Sequence, residues 1–170
     1  MGFLKIEHED KDDEMRIWLP AFKKVRRISS KKKSDSFMGS DMSYEDMASR
    51  QIDEYNFAIL GNEPIGEISC QILESKSRKG IRSEYGRHLS WVDPERLVIL
   101  QEESFDKAGA LLKEKFYTYK LIKDYTILTE IRVTNVQNNH ATQLRFENIE
   151  LDTNVEDNLF QEKNLKRIPK

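Results

Sequence analysis

Apolar and polar residues alternate along most of this chain, and that alternation restricts the fold to one built from β-strands. Successive side chains of a strand point to opposite faces, so a period of two collects the apolar residues on one face. In YTILTEIRVTNV (125–136), one side carries Tyr125, Ile127, Thr129, Ile131 and Val133. Shorter stretches group Met15, Ile17 and Leu19; Tyr55, Phe57 and Ile59; and Ile68, Cys70 and Ile72.

Further strand-like stretches at 3–7, 23–29, 97–106, 111–121 and 141–151 predict an antiparallel sheet with short connections. Turns are expected at Gly61-Asn62, Asp93-Pro94, Lys107–Gly109 and Asn138-Asn139. The stretches 111–121 and 125–137 are long, and long strands usually curl. The predicted fold class is therefore mainly β: a strongly curved antiparallel sheet or half-open β-barrel, with one or two short helices as a lid.

The helical signals are few. Ser43 and Asp46 have the spacing of a capping box, with Met42 and Met47 at the flanking apolar positions, which predicts a helix over 44–51. A second short helix is expected at 157–161 or 162–166. The length of 170 residues favours a single domain.

Several function classes find no support in the residues. His8, His88 and His140 are far apart and lack partners at ligand spacing, so no metal site is expected. The chain has one cysteine, Cys70, and no nucleophile elbow or phosphate loop, so neither an enzyme nor a cofactor is predicted. The net charge of −2 gives no global attraction for nucleic acid.

One strongly basic strip stands out, KKVRRISSKKK at 23–33. It contains no aromatic residue that could stack on bases, and acidic residues follow it, so nucleic-acid binding is not predicted. It is either a solvated strand and loop, or a surface that binds anionic lipid head groups or an acidic protein partner. Its cations are Lys23, Lys24, Arg26, Arg27, Lys31, Lys32 and Lys33.

The segment after this strip holds more large, adaptable apolar side chains than a surface loop requires. Methionine is unbranched and can repack around different contents, which suits a movable lid over an apolar cavity. The alternative is that the same residues permanently plug the core. The predicted lid residues are Phe37, Met38, Met42 and Met47.

The stretch 16–50 resembles the LolA-like family of outer-membrane lipoprotein-sorting proteins. The motif at its centre is SFMGSD followed by YED. The matching residues are Pro20, Ala21, Arg26, Arg27, Ile28, Ser36, Phe37, Met38, Gly39, Ser40, Asp41, Tyr44, Glu45 and Asp46. The resemblance continues at Tyr85, at WVD (91–93) and at 147–167. It implies a half-open antiparallel barrel and a non-catalytic periplasmic carrier or receptor for the acyl chains of lipids or lipoproteins.

On this reading, the acyl chain lies on one apolar face of the sheet. The expected lining is Ile17, Leu19, Phe57, Ile59, Ile68, Ile72, Ile127, Ile131, Val133, Leu144 and Phe146. Members of the family usually have a helix and further strands before the segment that matches Phe3, and those are absent from 1–170. The expectation is therefore either an exposed sheet edge, which invites a homodimer or strand exchange, or a chain that is a shortened form of the family. The rival hypothesis is an accessory module of an envelope transporter with a filled core, which docks a partner or membrane through 23–33.

Overall fold

A computed structural model describes residues 2–8, 11 and 13–166, and within them the chain forms two antiparallel sheets. The small sheet has the order β1-β2-β3, with strands Gly2–Ile6, Glu14–Leu19 and Lys24–Ile28. The large sheet is a meander of seven strands, β4 to β10. They are Tyr55–Ile65, Ile68–Ser77, Tyr85–Asp93, Val98–Asp106, Leu111–Ile122, Tyr125–Asn135 and His140–Arg145.

The prediction of a mainly β, curved and unclosed antiparallel sheet is confirmed. Short turns join most neighbouring strands of the large sheet, because the chain reverses where turn residues interrupt the alternation, whereas the longer stretch 78–84 connects β5 to β6. Three of the expected turns are present, at Asp93-Pro94, Lys107–Gly109 and Asn138-Asn139. The described helices are short 3₁₀ turns at Pro20–Phe22, Ser30–Lys32, Ile52–Glu54, Asp157–Phe160 and Glu162–Asn164.

The turn predicted at Gly61-Asn62 is wrong. β4 continues through both residues, and the register shifts between Ile59 and Gly61, so Leu60 is the extra residue of a β-bulge. The hairpin turns instead at Gly66, whose φ of 60° lies in the left-handed region. Glycine is favoured at both a bulge and a turn, and its presence alone does not distinguish them.

Strand β6, Tyr85–Asp93, has no counterpart among the predicted strands. Its sequence YGRHLSWVD contains too many polar residues to read as a strand with one apolar face. The side chains of His88 and Ser90 are nevertheless buried, with 1% and 2% exposure. They point towards other polar side chains of the sheet, described below, and not towards an apolar core.

The helix predicted over 44–51 is also wrong. The expected cap does form, because the Ser43 amide donates to Asp46 Oδ2 at 2.8 Å and the Asp46 amide donates to Ser43 Oγ at 3.3 Å. However, residues 44–47 form turns and no α-helix follows. The amides of Tyr44 and Glu45 donate to the carbonyls at 35 and 33, which fold this stretch back on the preceding residues. A helix of two turns is too short to outweigh such contacts.

The small sheet lies between two other segments. On one side, the Phe3 ring packs edge-on against Phe37 with a centroid distance of 5.0 Å, and Phe37 packs against Tyr44 at 5.6 Å. On the other side, residues near the C-terminal end of the described chain approach β1 and β2, where Arg16 pairs with Glu162. This arrangement places segment 36–50 between the small sheet and the large one.

Candidate ligand-binding site

One face of the large sheet, called here the inner face, carries two rows of paired side chains. Directly opposite residues of antiparallel strands share a face. The first row runs Ser75, His88, Ser104, Lys113. The second row runs Leu73, Ser90, Glu102, Lys115, Val133. The middle of this face is therefore charged and polar, whereas the part formed by β9 and β10 is apolar.

Segment 36–50 covers the apolar part of the inner face. Met42 packs with Ile131 and Val133 in a buried cluster, and Phe37 and Met47 pack against that cluster. Burial of these apolar side chains stabilises the segment on the large sheet. The segment is also tied to β10, because Thr142 Oγ1 donates to Asp41 Oδ2 at 2.6 Å.

Asp46 anchors the same segment to the charged part of the inner face. Its Oδ2 accepts from Lys113 Nζ at 3.0 Å, its Oδ1 accepts from Tyr85 Oη at 2.8 Å, and it forms an ion pair with Lys115. These carboxyl and ammonium groups are almost fully buried. Burial alone would raise the pKa of Asp46, but the charges of Lys115 and Lys113 outweigh it and hold this pKa well below its ordinary value.

Arg50 makes the second anchor through a two-point ion pair with Glu102. Arg50 Nη1 and Nη2 each donate to one Glu102 oxygen at 2.7 Å, and Lys115 Nζ donates to Glu102 at 3.1 Å. Burial raises the pKa of Glu102, but the charges of Lys115 and Arg50 lower this pKa by more than burial raises it, so the carboxylate stays ionised. Glu102 is 1% exposed, whereas the Arg50 side chain remains 32% exposed.

His88 is buried beside this ion pair and is neutral. Burial, followed by the charge of Arg50, lowers the pKa of His88 to about 3. Arg50 Nη2 lies 3.3 Å from His88 Nδ1, and Ser104 Oγ lies 2.8 Å from the same nitrogen. Because a guanidinium only donates, Nδ1 must accept and Nε2 carries the proton.

A pocket of about 250 Å³ opens between segment 36–50 and the inner face. Arg50, His88 and Glu102 contribute to its charged wall, and Tyr55 and Ile99 contribute apolar surface. Its remaining lining residues are Lys33, Glu45, Asp46, Ala48, Ser49, Glu54, Ile81, Arg82, Tyr85 and Tyr117. A cavity of this size with mixed walls suits a small polar group attached to an apolar body.

None of the eleven residues expected to line a ligand cavity borders this pocket. Phe57 and Ile59 lie on the inner face at β4, opposite Ser75 and Leu73, and are 46% and 65% exposed. Three others, Ile131, Val133 and Leu144, are covered by segment 36–50. Ile17 is buried on the small sheet and Leu19 is half-buried there, while Phe146 follows β10 and is exposed.

The expectation that these residues share one face is wrong at five positions, because Ile17 and Leu19 belong to the small sheet and three others lie on the opposite face of the large sheet. Ile68 and Ile72 form a separate cluster with Trp91 on the opposite side of β5 from Ser75. Ile127 pairs with Lys120, whereas Leu128 pairs with Tyr119 and joins the Ile131 cluster. Ile127 lies on the opposite face because the register shifts between Thr118 and Tyr119, and one extra residue reverses the faces of all positions beyond it.

Of the four predicted lid residues, three pack in or against the buried cluster that contains Ile131 and Val133. Phe37, Met42 and Met47 pack there, and Met38 is 43% exposed with a φ of 54° beside Gly39. The predicted basic strip forms β3 and the loop after it. Its residues Lys23, Lys24, Arg26, Arg27, Lys31 and Lys32 are exposed, and Lys33 is half-buried at the pocket.

The charged centre of the inner face is not predicted by local sequence patterns. Its members Arg50, His88, Glu102, Lys113 and Lys115 come from four separate stretches of chain. One signal was available in β8, where Lys113 and Lys115 alternate in phase with Tyr117 and Tyr119. Lysines in phase with aromatic rings indicate a buried face that contains charge.

Across the described part of the chain, no three His, Cys, Asp or Glu side chains are grouped so that they could hold a metal ion. Among the same residues, no helix has both the length and the apolar character needed to cross a bilayer.

Comparison with known proteins extends the resemblance seen in 16–50. A family described as "Uncharacterized protein" matches residues 1–167, and no curated protein matches significantly. A chain from Vibrio parahaemolyticus, named as an outer membrane lipoprotein-sorting protein domain, is 35% identical with a TM-score of 0.89. That match covers 97% of this chain and 71% of the other.

Two further solved structures have a similar fold. A DUF1329 family protein from Desulfovibrio piger is 32% identical with a TM-score of 0.86, over 96% of this chain and 69% of that one. A LolA superfamily protein from Nitrosomonas europaea is 18% identical with a TM-score of 0.64, over 89% and 70%, and supports the fold alone. The chain therefore has a LolA-like fold and belongs to the family of outer membrane lipoprotein-sorting proteins that the Vibrio domain and the DUF1329 protein represent.

Proposed function

We propose that this protein is a non-catalytic periplasmic carrier or receptor that binds acyl chains in lipid or lipoprotein transport to the outer membrane. The observation that carries the proposal is the uncovered part of the inner face. There, Phe57 and Ile59 are exposed on the same face as the pocket wall. The Tyr55 ring, which lines the pocket, lies 6.2 Å from the Phe57 ring.

This arrangement suits an amphiphile more than a pure hydrocarbon. A tail would lie along Phe57 and Ile59, where each methylene removed from water contributes about 0.8 kcal/mol. The polar end would enter the pocket next to Arg50. No described residue accepts a hydrogen bond from Arg50 Nε, so this donor is available to a head group.

The predicted lid belongs to this proposal. Phe37, Met42 and Met47 cover Ile131 and Val133, and a tail longer than the uncovered surface would have to displace them. Movement of segment 36–50 would then enlarge the apolar surface without breaking the sheet. A change in amide hydrogen exchange across 36–50 on adding fatty acid would support this step.

The second candidate is an accessory module of an envelope transporter with a permanently filled core. The observation that favours it is the pair of buried anchors, Asp46 with the two lysines and Arg50 with Glu102. Breaking a buried ion pair is strongly unfavourable, so these anchors oppose opening. In this case, exchange of the 36–50 amides stays unchanged when fatty acid is added.

Titration with a fluorescent fatty acid tests the carrier hypothesis directly. We expect saturable binding by the wild type and a loss of roughly tenfold in affinity for Phe57→Asp combined with Ile59→Asp, because the tail loses its apolar contact. Leu97→Asp, at an 80% exposed turn position, is the matched control and should bind normally. Absence of binding by the wild type, together with no lipid in the purified protein, would reject the carrier hypothesis.

A homodimer remains part of the proposal. β4 is an edge of the large sheet and pairs only with β5 among the described strands. Its stretch 57–60 is exposed and apolar, which is typical of an edge that accepts another strand. Sedimentation velocity should then show a dimer, and Ile59→Lys should shift the protein to the monomer.

A further inference from the structure

Strand β3 forms a basic edge of the small sheet. It pairs with β2 on one side, and no described strand pairs with its other side. Arg26 lies opposite Ile17 and Arg27 lies opposite Arg16, so the cations project from both faces of the strand. The positive surface is thus the edge itself and the loop that follows, not one face of the sheet.

An exposed aromatic ring stands at the start of this edge. Phe22 ends the Pro20–Phe22 turn, and its side chain is 63% exposed. The next residue, Lys23, has a φ of 48°, and its amide donates to the Pro20 carbonyl at 3.1 Å, which makes a tight reversal. The Arg26 guanidinium lies 5.7 Å from the Phe22 ring centroid. An apolar group therefore projects from a turn that is flanked by cations.

The charge of the chain is unevenly distributed. Residues 23–33 contain seven of the 28 Lys and Arg residues and none of the 30 acidic ones. The remainder thus has 21 cations and 30 acids, a net charge of −9, against +7 for the strip. An anionic surface would attract the strip and repel the rest of the molecule, which orients the protein.

We propose that the basic edge, Phe22 to Lys33, docks the protein on a membrane surface that contains anionic lipids, with Phe22 entering the interfacial region. Cations close to such a surface each contribute about 1 kcal/mol, and amphipathic or aromatic side chains favour the head-group level. This docking does not depend on whether the inner face carries cargo.

Protection of a free strand edge is the simpler explanation for these cations, because charged residues prevent pairing with other chains. It does not account for Phe22, since an exposed ring beside an open edge promotes association. An acidic protein partner would require cations directed at one contact surface, whereas these cations spread over both faces and the adjoining loop. A broad, laterally uniform anionic surface fits this distribution better.

The test is co-sedimentation with vesicles of phosphatidylglycerol and phosphatidylcholine in equal amounts, compared with pure phosphatidylcholine. We expect the wild type to bind the anionic vesicles at low salt, weakly at high salt, and not to bind the neutral ones. Lys24→Glu combined with Arg26→Glu should reduce binding at least roughly tenfold. This variant keeps charges on the edge, so its protection against pairing is retained.

The matched control is Lys79→Glu with Lys107→Glu, which changes the net charge equally at two exposed turn positions elsewhere. It should bind as the wild type does. Phe22→Ser should weaken binding several-fold, and the fluorescence of Phe22→Trp should shift to the blue when anionic vesicles are added.

Three results would overturn the proposal. They are no binding of the wild type to anionic vesicles at low salt, an equal loss in the control variant, or binding that is unchanged in the Lys24 and Arg26 variant. In the first case the cations either protect the strand edge or meet an acidic protein. Normal fatty-acid titration in the non-docking variants would show that the carrier function stands independently.

Discussion

Asp46 and Lys115 lie 69 residues apart in the chain and form a buried ion pair between segment 36–50 and strand β8. Lys113, two residues before Lys115, pairs with the same carboxylate and with Glu84. The sheet thus presents two lysines to Asp46 of the segment, and Glu102 of the sheet pairs with both Lys115 and Arg50. The position of the segment is set by charge as well as by apolar contact.

Asp46→Ala should destabilise the fold by about 3–5 kcal/mol, because it leaves two buried lysines without their shared carboxylate. Urea unfolding of the wild type and the variant measures this difference. Asp35→Ala is the control, since Asp35 pairs with Lys32 on the surface and both side chains are more than half exposed. That loss should stay below about 1 kcal/mol, and equal losses in the two variants would contradict our account of the buried network.

The stability should fall as the pH is lowered from 7 to 5, because of His88. Its pKa is about 3 in the folded protein and 6.5 ordinarily, so the unfolded chain takes up a proton that the folded one refuses. The contribution of His88 to the free energy of unfolding is complete above pH 6.5, and at pH 5 it is smaller by about 2 kcal/mol. Urea unfolding at each pH checks the slope, and in His88→Gln this component should disappear. A slope that persists in the variant would exclude His88 as its source.

Met42→Ala should reduce stability by about 2–5 kcal/mol, because it removes the side chain that packs between segment 36–50 and the inner face. Met42 is 5% exposed. Leu121→Ala, at a position that is 73% exposed, should change stability by less than about 0.5 kcal/mol. Similar melting temperatures for the wild type and Met42→Ala would mean that the segment contributes little to the folded core.

Gly86→Ala should be destabilising even though alanine is usually better tolerated in a strand. A Cβ at this position would lie 2.8 Å from the backbone oxygen of Asp106, which belongs to the neighbouring strand. The backbone must shift to relieve that contact, and we expect a loss of about 1–3 kcal/mol. Thermal unfolding measures it, and an unchanged or higher melting temperature would show that β6 and β7 are free to separate.

The strands that were predicted correctly are those in which alternation is strong, such as 111–121 and 125–137. β6 was missed because its buried positions hold His88 and Ser90, and a polar buried face gives no apolar alternation. The helix predicted at 44–51 does not form, because contacts with residues outside this stretch outweigh the local signal of the cap. The Ser43 and Asp46 cap forms, but the amides of Tyr44 and Glu45 donate to the carbonyls at 35 and 33, and Asp46 itself pairs with Lys113 on β8.

The candidate site was predictable only in part. The SFMGSD motif lies in segment 36–50, which covers the apolar part of the inner face. The face assignments failed at Ile127 because one bulged residue reverses all positions beyond it. The pocket could not be anticipated, since its wall combines side chains from segment 36–50 with others from β4, β6, β7 and β8.

The sequence alone determined the β class, the long curved strands, most of the turns, the exposed basic strip and the family. These follow from local alternation, turn residues and a continuous motif, which are all properties of neighbouring residues. Tertiary structure decided which side chains meet on the inner face and that its centre is charged. Ion pairs such as Asp46 with Lys115 form between residues far apart in the chain, and their burial depends on strand register, which local patterns do not specify.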